Sequence, residues 1–203
     1  YGADGVRVGM MLCSPAGNDL LYDDSLPEQG RNFANKIWNA YRLVSSWTVD
    51  DSLEQPEYSA VAVKWMKEMT GKAIGEIDSD FRKFRISEAL MVSYKLFWDE
   101  FSSWFLEIVK PEYKKPIDRI TYEATKEIFD HLLRIMHPFM PFITEEIWQR
   151  WRPQDGPIAL QAYPLADDAL MDDAAEAKMA LMQEVLSGVR SVRGDFGIPR
   201  GTK

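Results

Sequence analysis

Residues 30–47 read GRNFANKIWNAYRLVSSW, and the spacing within this stretch decides the fold. Its apolar side chains recur at steps of three and four residues: Phe33, Ile37, Ala40, Tyr41, Val44 and Trp47. At about 100° per residue of an α-helix, they occupy one arc of roughly 120°. The stretch therefore predicts a long helix, over about residues 27–47, that buries a single face.

The same period recurs along most of the chain, so the sequence predicts an all-α fold. Further helices are expected over about residues 3–12, 57–81, 86–109, 116–136, 143–152 and 168–193. The most regular apolar stripe is Ile86, Leu90, Tyr94, Phe97, Phe101, Trp104 and Ile108. Pro116 suits the first turn of the next helix, and the predicted core face there is Ile117, Ile120, Ala124, Ile128, Leu132 and Ile135. Long helices with short connections indicate a helical bundle.

The connections contain turn-forming residues and two possible short strands. The strands are expected at Leu20–Tyr22 and at Ile158–Leu160. The segment Thr48–Pro56 is polar and acidic, and we interpret it as a linker. Proline disfavours helical geometry in the residue before it, so the stretch His137–Pro141 predicts a break between two helices.

Composition limits the classes of protein to consider. The chain has 203 residues, a formal net charge of −8 and a single cysteine, Cys13. One cysteine excludes an internal disulfide and favours a reducing, cytoplasmic location. No apolar run approaches the roughly 18–20 residues of a membrane helix. The acidic balance argues against nucleic acid, but basic residues cluster at Lys110–Lys126 and Arg190–Lys203, which is compatible with recognition of a structured RNA.

No motif of a catalytic or metal site is present. The sequence contains no glycine-rich phosphate loop, HExxH, CxxC or GxSxG pattern. His131 and His137 are interpreted as a helix-surface and a turn histidine, because a metal needs several convergent ligands. We therefore predict no catalytic residue and no metal ligand.

One polar pattern suggests binding. Asn32, Asn35, Asn39 and Arg42 follow at steps of three, four and three, opposite the apolar arc of the same helix. Amides and a guanidinium can read the edges of unstacked bases, and Trp38 and Trp47 can supply stacking surfaces. Alternatively, the amides cap neighbouring helix ends inside the bundle.

Several stretches resemble the anticodon-binding region of valyl-tRNA synthetases. GRNFANKIWNA (residues 30–40) looks like the first helix of that domain. YGADGVR (residues 1–7) resembles the segment after the KMSKS signature, with Gly5 where the family more often has alanine. HPFMPFITEEIW (residues 137–148) is similar to a motif shared by the valyl, isoleucyl and leucyl enzymes, and we interpret it as structural.

The resemblance implies a domain organisation and a set of RNA contacts. It implies a stem-contact segment over residues 1–26, an anticodon-binding helical bundle over 27–165, and a C-terminal helix with the start of a linker over 166–203. The RNA-binding residues that it implies are Asn39, Arg42, Asn35, Lys36, Trp38 and Trp47. The partners are then valine tRNA and the rest of the synthetase chain.

The chain begins at Tyr1 and carries no catalytic signature, so we expect it to be part of a longer, monomeric enzyme. That enzyme would attach valine to its tRNA with ATP and magnesium, whereas this stretch would need no cofactor. Two alternatives remain: a helical protein-interaction module without an RNA role, and the equivalent domain of an isoleucyl or leucyl enzyme.

Overall fold

The computed structural model describes residues 1–13, 23, 25–166 and 173–197, and it is mainly helical, which confirms the expected all-α fold. Residues 1–171 form one compact unit and residues 172–203 a second. In chain order the elements are α1 (Ala3–Leu12), α2 (Ser25–Ser45), β1 (Val49–Asp50), α3 (Glu57–Arg82), α4 (Ile86–Lys95), a π-helix (Leu96–Phe105), α5 (Leu106–Val109), β2 (Ile117–Asp118), α6 (Arg119–Met136), α7 (Pro141–Trp151), a 3-10 turn (Ile158–Leu160) and α8 (Asp173–Asp195).

Helix α2 buries the face that its sequence predicts. Its buried apolar side chains include Phe33, Ile37, Ala40 and Val44. The ring of Phe33 contacts those of Tyr94 and Phe97, with centroids 4.6 and 5.9 Å apart. Ring contacts at these separations stabilise a core beyond the area that they bury. Helix α2 is therefore fixed against α4 and the π-helix.

The helical run over residues 86–109 has a π-helix in its middle. Hydrogen bonds from i to i+5 wind more residues into each turn than in an α-helix. A step of four residues therefore keeps side chains on one face. Phe97, Phe101 and Phe105 are fully buried in a row, with successive ring centroids 5.3 and 5.6 Å apart.

This wider turn shifts the buried face away from the predicted stripe. Trp104 and Ile108 were expected in the core, but both are only half-buried. Phe105 and Val109 take those positions instead. The prediction was wrong after Phe101 because it assumed one α-helical period along the whole run. It was also wrong at Ile86, the start of the predicted stripe, which is 41% exposed.

Helix α6 begins three residues later than predicted. Pro116 precedes strand β2 and is not in the first helical turn. Asp118 caps the helix, since its carboxylate accepts a hydrogen bond from the Thr121 amide at 2.8 Å. Ile120 then lies on the outer face, 60% exposed, so its predicted core position is wrong. The buried residues of α6 are Thr121, Thr125, Ile128, Phe129, Asp130, Leu132, Leu133, Ile135 and Met136.

Strands β1 and β2 join two connections at one end of the bundle. The pairing is parallel, with Val49 opposite Ile117 and Asp50 opposite Asp118. The Ile117 amide also donates to the Thr48 carbonyl at 2.9 Å. The segment interpreted as a linker therefore contains a strand. Two residues are too few to show the alternating pattern by which strands are predicted.

The predicted strand at Ile158–Leu160 is also wrong, because these residues form a 3-10 turn. The amide of Ile158 donates to the Glu145 carboxylate at 3.0 Å, and its side chain is buried. The strand expected at residues 20–22 lies outside the described residues. So does the start of the predicted last helix, of which Asp173–Asp195 is observed.

Helices α1 and α2 approach each other closely at glycines. A Cβ atom on Gly30 would lie 2.3 Å from the carbonyl oxygen of Gly5, and one on Gly9 would lie 2.6 Å from the nitrogen of Pro27. A Cβ on Gly5 would lie 3.1 Å from the nitrogen of Arg31. The close crossing of α1 and α2 thus explains why glycine stands at position 5. From the sequence, this glycine was expected only to lower the helix propensity of α1.

Helix α1 also holds the turn between α6 and α7. The Asp4 carboxylate accepts hydrogen bonds from the amide of Ile143 at 2.7 Å and from that of the preceding residue at 3.3 Å. Arg7 donates to the carbonyls of Pro138 and Phe139 at 3.0 and 3.2 Å. A carboxylate at a helix start satisfies free amides and favours the helix dipole. Helix α1 thereby fixes the geometry of α7.

Candidate nucleic-acid interface

A groove of about 370 Å³ runs between α2 and the end of the helical run over residues 86–109. From α2 it is lined by Asn32, Asn35, Lys36, Asn39, Ala40 and Leu43; from the other side it is lined by Ser102, Leu106 and Glu107. The groove is shallow and open to solvent. It can accept an extended polar ligand along its length.

The three asparagines reach the groove because of helical spacing. Residues three or four apart lie on one face, and here that face is opposite the buried stripe of α2. Asn32, Asn35 and Asn39 are all exposed. None of the described residues forms a hydrogen bond with the side-chain amide of Asn35 or Asn39, which argues against the capping alternative. Each amide keeps its two donor hydrogens and its acceptor oxygen available for a ligand.

Lys36 lies deeper in the groove and already has partners. Its Nζ atom stands 4.3 Å from the centroid of the Trp98 ring and 3.5 Å from the Ser103 hydroxyl. Partial burial lowers the pKa of Lys36, while Asp99 and Glu107 raise it in part. Its contact with Trp98 is a cation–π interaction. Lys36 is therefore a fixed positive charge in the groove wall.

Arg42 and Trp47 do not line the groove, although both were predicted to bind RNA. Arg42 is exposed, one helical turn beyond Asn39. Trp47 is half-buried just after the end of α2, and its amide donates to the Val44 carbonyl at 3.2 Å. A ligand would have to extend past the groove to touch either side chain.

Trp38 faces α7 and lies away from the groove. Its ring centroid is 5.2 Å from that of Tyr41, and the Arg150 guanidinium lies 5.3 Å from the Trp38 ring. Tyr41 in turn contacts Trp151 at 5.1 Å, and the Trp151 indole donates to the Ser45 hydroxyl at 3.0 Å. These contacts give Trp38 a packing role between α2 and α7.

The sequence reasoning missed the opposite wall of the groove. Ser102 lies within the π-helix, and Leu106 and Glu107 follow directly after it. No local sequence pattern marked the π-helical turns. Glu107 is exposed, and its carboxylate accepts from Lys110 at 2.6 Å. Amides, one lysine and one carboxylate together form a mixed polar surface. Such a surface suits hydrogen-bonding recognition of bases better than binding by charge alone.

The other titratable candidates carry no site. Burial lowers the pKa of both His131 and His137, and a His137 ring nitrogen lies 2.8 Å from the Thr144 hydroxyl. Cys13 donates to the Met10 carbonyl at 3.2 Å. Among the described residues, no group of three or more His, Cys, Asp or Glu side chains is arranged to hold a metal ion. Within the same residues, no helix is both long and apolar enough to cross a membrane.

Comparison with known proteins gives a consistent result. Residues 63–203 match the family model described as the anticodon-binding domain of tRNA ligase. The chain is 57% identical over 199 residues to a valine–tRNA ligase of Parabacteroides distasonis, and 31% identical over 204 residues to that of Thermotoga maritima. These alignments cover 98% and 100% of this chain, but only 23% and 24% of the relatives.

A solved structure resembles the fold. It is the leucyl-tRNA synthetase of Agrobacterium radiobacter in a ternary complex with tRNA and LeuAMS, with a TM-score of 0.60 and 18% identity. The match covers 85% of this chain and 20% of that one. The family match begins within α3, so helix α2 and its asparagines lie outside it, whereas the alignment with the Thermotoga maritima relative covers the whole chain.

Proposed function

The chain belongs to the family of anticodon-binding domains of tRNA ligases, and we propose that its groove binds the anticodon loop of a valine tRNA. The observation that supports this most directly is the exposed Asn32–Asn35–Asn39 row. These amides line a groove, and in the part of the chain that the structure describes no residue forms a hydrogen bond with the side chain of Asn35 or Asn39. Single-stranded loops present unstacked base edges that amides can pair with.

Within this proposal the five predicted residues that lie on α2 have different roles. Asn35 and Asn39 contact base edges, and Lys36 supplies positive charge from the groove wall. Arg42, beyond the groove, contacts the RNA backbone where the loop continues along α2. Trp38 acts through packing, because its ring is engaged by Tyr41 and Arg150.

The whole protein is proposed to be an ATP-dependent valine–tRNA ligase of the cytoplasm, with magnesium accompanying the nucleotide. Valine is favoured because the relatives that align along nearly the whole chain are valine–tRNA ligases. The leucyl enzyme supports only the fold at 18% identity. In this proposal residues 1–26 contact the tRNA stem, residues 27–165 bind the anticodon loop, and residues 166–203 lead into a further region.

The test is a binding measurement with matched RNAs. The affinity of the 203-residue chain for a valine tRNA transcript is compared with its affinity for the same transcript with a changed anticodon, at one low and one physiological salt concentration. We expect the native anticodon to bind more tightly at both. Equal affinities at both concentrations would refute anticodon reading, since contacts to phosphates alone carry no sequence information.

Asn39→Ala examines the side chain itself. If Asn39 makes a bidentate contact with a base, its loss should weaken binding of the native transcript by about 5- to 150-fold. The transcript with the changed anticodon should show little further loss. Gln154→Ala, which removes an exposed amide outside the groove, is the control. If neither the wild-type chain nor its variants bind either transcript, the protein-interaction module is favoured instead.

A further inference from the structure

The end of the bundle nearest the groove carries a second cavity. It lies where the connection from α2 to α3 meets the connection from α5 to α6, and the β1–β2 pairing holds these two segments together. Its volume is about 150 Å³. Its apolar lining includes Leu53, Pro56, Tyr58, Pro111 and Pro116.

The apolar side chains that line this pocket are partly exposed. Tyr58 is 62% exposed and Leu53 is 43% exposed. A tyrosine ring offers a stacking face that accepts any base, and three proline rings add rigid apolar walls. Glu54, Ser59 and Asp118 place polar groups at the same pocket, and the Asp118 carboxylate is already hydrogen-bonded to the Thr121 amide. An apolar pocket with a few polar groups suits a planar heterocycle.

An ion pair connects the lining of the pocket with that of the groove. Glu107 lines the groove and Lys110 lines the pocket. The two side chains form an ion pair at 2.6 Å. A strand of RNA that leaves the groove past Glu107 therefore reaches the pocket within about one helical turn.

The loop beside the pocket is a tight turn, closed by a hydrogen bond from the Lys115 amide to the Glu112 carbonyl at 2.9 Å. Tyr113 is 88% exposed, and the next residue, Lys114, adopts a left-handed φ of 63°. Lysine gains nothing from that conformation, which glycine or asparagine adopts more easily. The Lys114 Nζ atom lies 5.2 Å from the Tyr113 ring. The loop thus presents an aromatic ring and a cation together to solvent.

Two further lysines add positive charge around the loop. Lys110 is paired with Glu107, and Lys115 is paired with Glu112 at 2.6 Å. All four of these side chains are substantially exposed. Exposed pairs of this kind contribute little stability. A phosphate can therefore replace either carboxylate at small cost.

We propose that this pocket and the Lys110–Lys115 loop form a second nucleotide subsite. It takes an unstacked nucleotide of the same RNA whose neighbouring bases occupy the groove. The base stacks on Tyr58 in the pocket, Tyr113 adds a second ring from the loop, and the lysines contact the phosphates. This inference rests on the proposed RNA-binding function and adds to it a position outside the predicted set of contact residues.

The experiment measures binding of the valine tRNA transcript to the 203-residue chain and its variants. Tyr113→Ala and Tyr58→Ala should each weaken binding by about 5- to 100-fold if the ring stacks on a base. Tyr113 is almost fully exposed, so its removal leaves the fold intact even if Tyr58→Ala disturbs the start of α3. Lys114→Asn removes the charge but retains a residue that tolerates the left-handed turn. It should reduce the slope of log affinity against log salt by about 1.

Phe84→Gly is the matched control. Phe84 is another aromatic tip, 83% exposed with a φ of 58°, located in the turn before α4 rather than beside the pocket. Its removal should leave affinity within about twofold. Equal losses for Phe84→Gly and Tyr113→Ala would overturn the subsite in favour of a general surface effect.

Two other outcomes separate this inference from the proposed function. If Asn39→Ala weakens binding while Tyr113→Ala and Lys114→Asn do not, the groove binds RNA and the subsite is wrong. If the chain binds no tRNA under any condition, both proposals fail.

Discussion

Gly30→Ala and Gly75→Ala are the same substitution within long helices, and the structure predicts opposite effects. Gly75 lies in α3, where an added Cβ would meet nothing within 4 Å. Alanine there should stabilise the protein by about 0.5–1 kcal/mol through helix propensity and reduced freedom of the unfolded chain. At Gly30 the added Cβ would lie 2.3 Å from the Gly5 carbonyl oxygen and 2.9 Å from its Cα.

The clash at Gly30 is with backbone, so no side chain can rotate away. Helix α1 has to move by about 1 Å to restore ordinary contact, and overpacking of this kind costs about 1–3 kcal/mol. The movement also strains the hydrogen bond from the Ile143 amide to Asp4, whose loss costs about 1 kcal/mol. Helix propensity returns about 1 kcal/mol. We expect a net loss of about 1–3 kcal/mol for Gly30→Ala.

The assay is unfolding of the 203-residue chain in urea and by heat, followed by circular dichroism. For a chain of this size, each 1 kcal/mol shifts Tm by about 2–4 °C. Gly30→Ala should lower Tm by several degrees, and Gly75→Ala should raise it slightly. A Gly30→Ala protein as stable as the wild type, or a Gly75→Ala protein destabilised equally, would refute the close crossing of α1 and α2.

Two further predictions concern the titration and the capping of the bundle. Burial lowers the pKa of His131 and of His137 in the folded state below 6.5. As the pH falls, these histidines therefore take up protons first in the unfolded chain. The stability that their neutral form contributes is complete above pH 6.5 and is lost as the pH falls toward the folded-state pKa values. The free energy of unfolding should therefore fall less between about pH 7.5 and pH 5.5 in a His131→Gln, His137→Gln double variant than in the wild type. An identical fall in the two proteins would contradict this. Asp4→Ala should destabilise the chain by about 1–2 kcal/mol and speed hydrogen exchange at the Ile143 amide. Asp4→Asn retains a hydrogen-bond acceptor and should lose less stability. Unchanged exchange in Asp4→Ala would show that the Asp4 carboxylate does not cap α7.

The sequence by itself determined the helices and the polar row of α2. Burial of one helix face requires apolar residues at helical spacing. This spacing predicted both the helix and its buried face at Phe33, Ile37 and Val44. The exposure of Asn35 and Asn39 follows from the same geometry, since they lie on the opposite arc. Local spacing is sufficient wherever an element keeps one regular period.

Only the tertiary structure decided which predicted residues meet in one place. Lys36, Trp38 and Asn39 are nearly adjacent in sequence, yet Lys36 contacts Trp98, Trp38 contacts Tyr41, and Asn39 lines the groove. Successive residues are rotated by about 100° around the helix, so these three side chains face different neighbours. The neighbouring helices therefore determine the role of each side chain. Those neighbours come from distant parts of the chain.

The opposite wall of the groove and the second pocket depend on departures from regular structure. The π-helical winding turns Ser102 and Glu107 toward α2, and the two-residue pairing of β1 with β2 brings Tyr58 near Lys110. Neither departure has a local pattern, because each is stabilised by contacts between segments more than about 50 residues apart. The sequence thus determined which face of α2 is available for binding, and the packing determined what surface surrounds it.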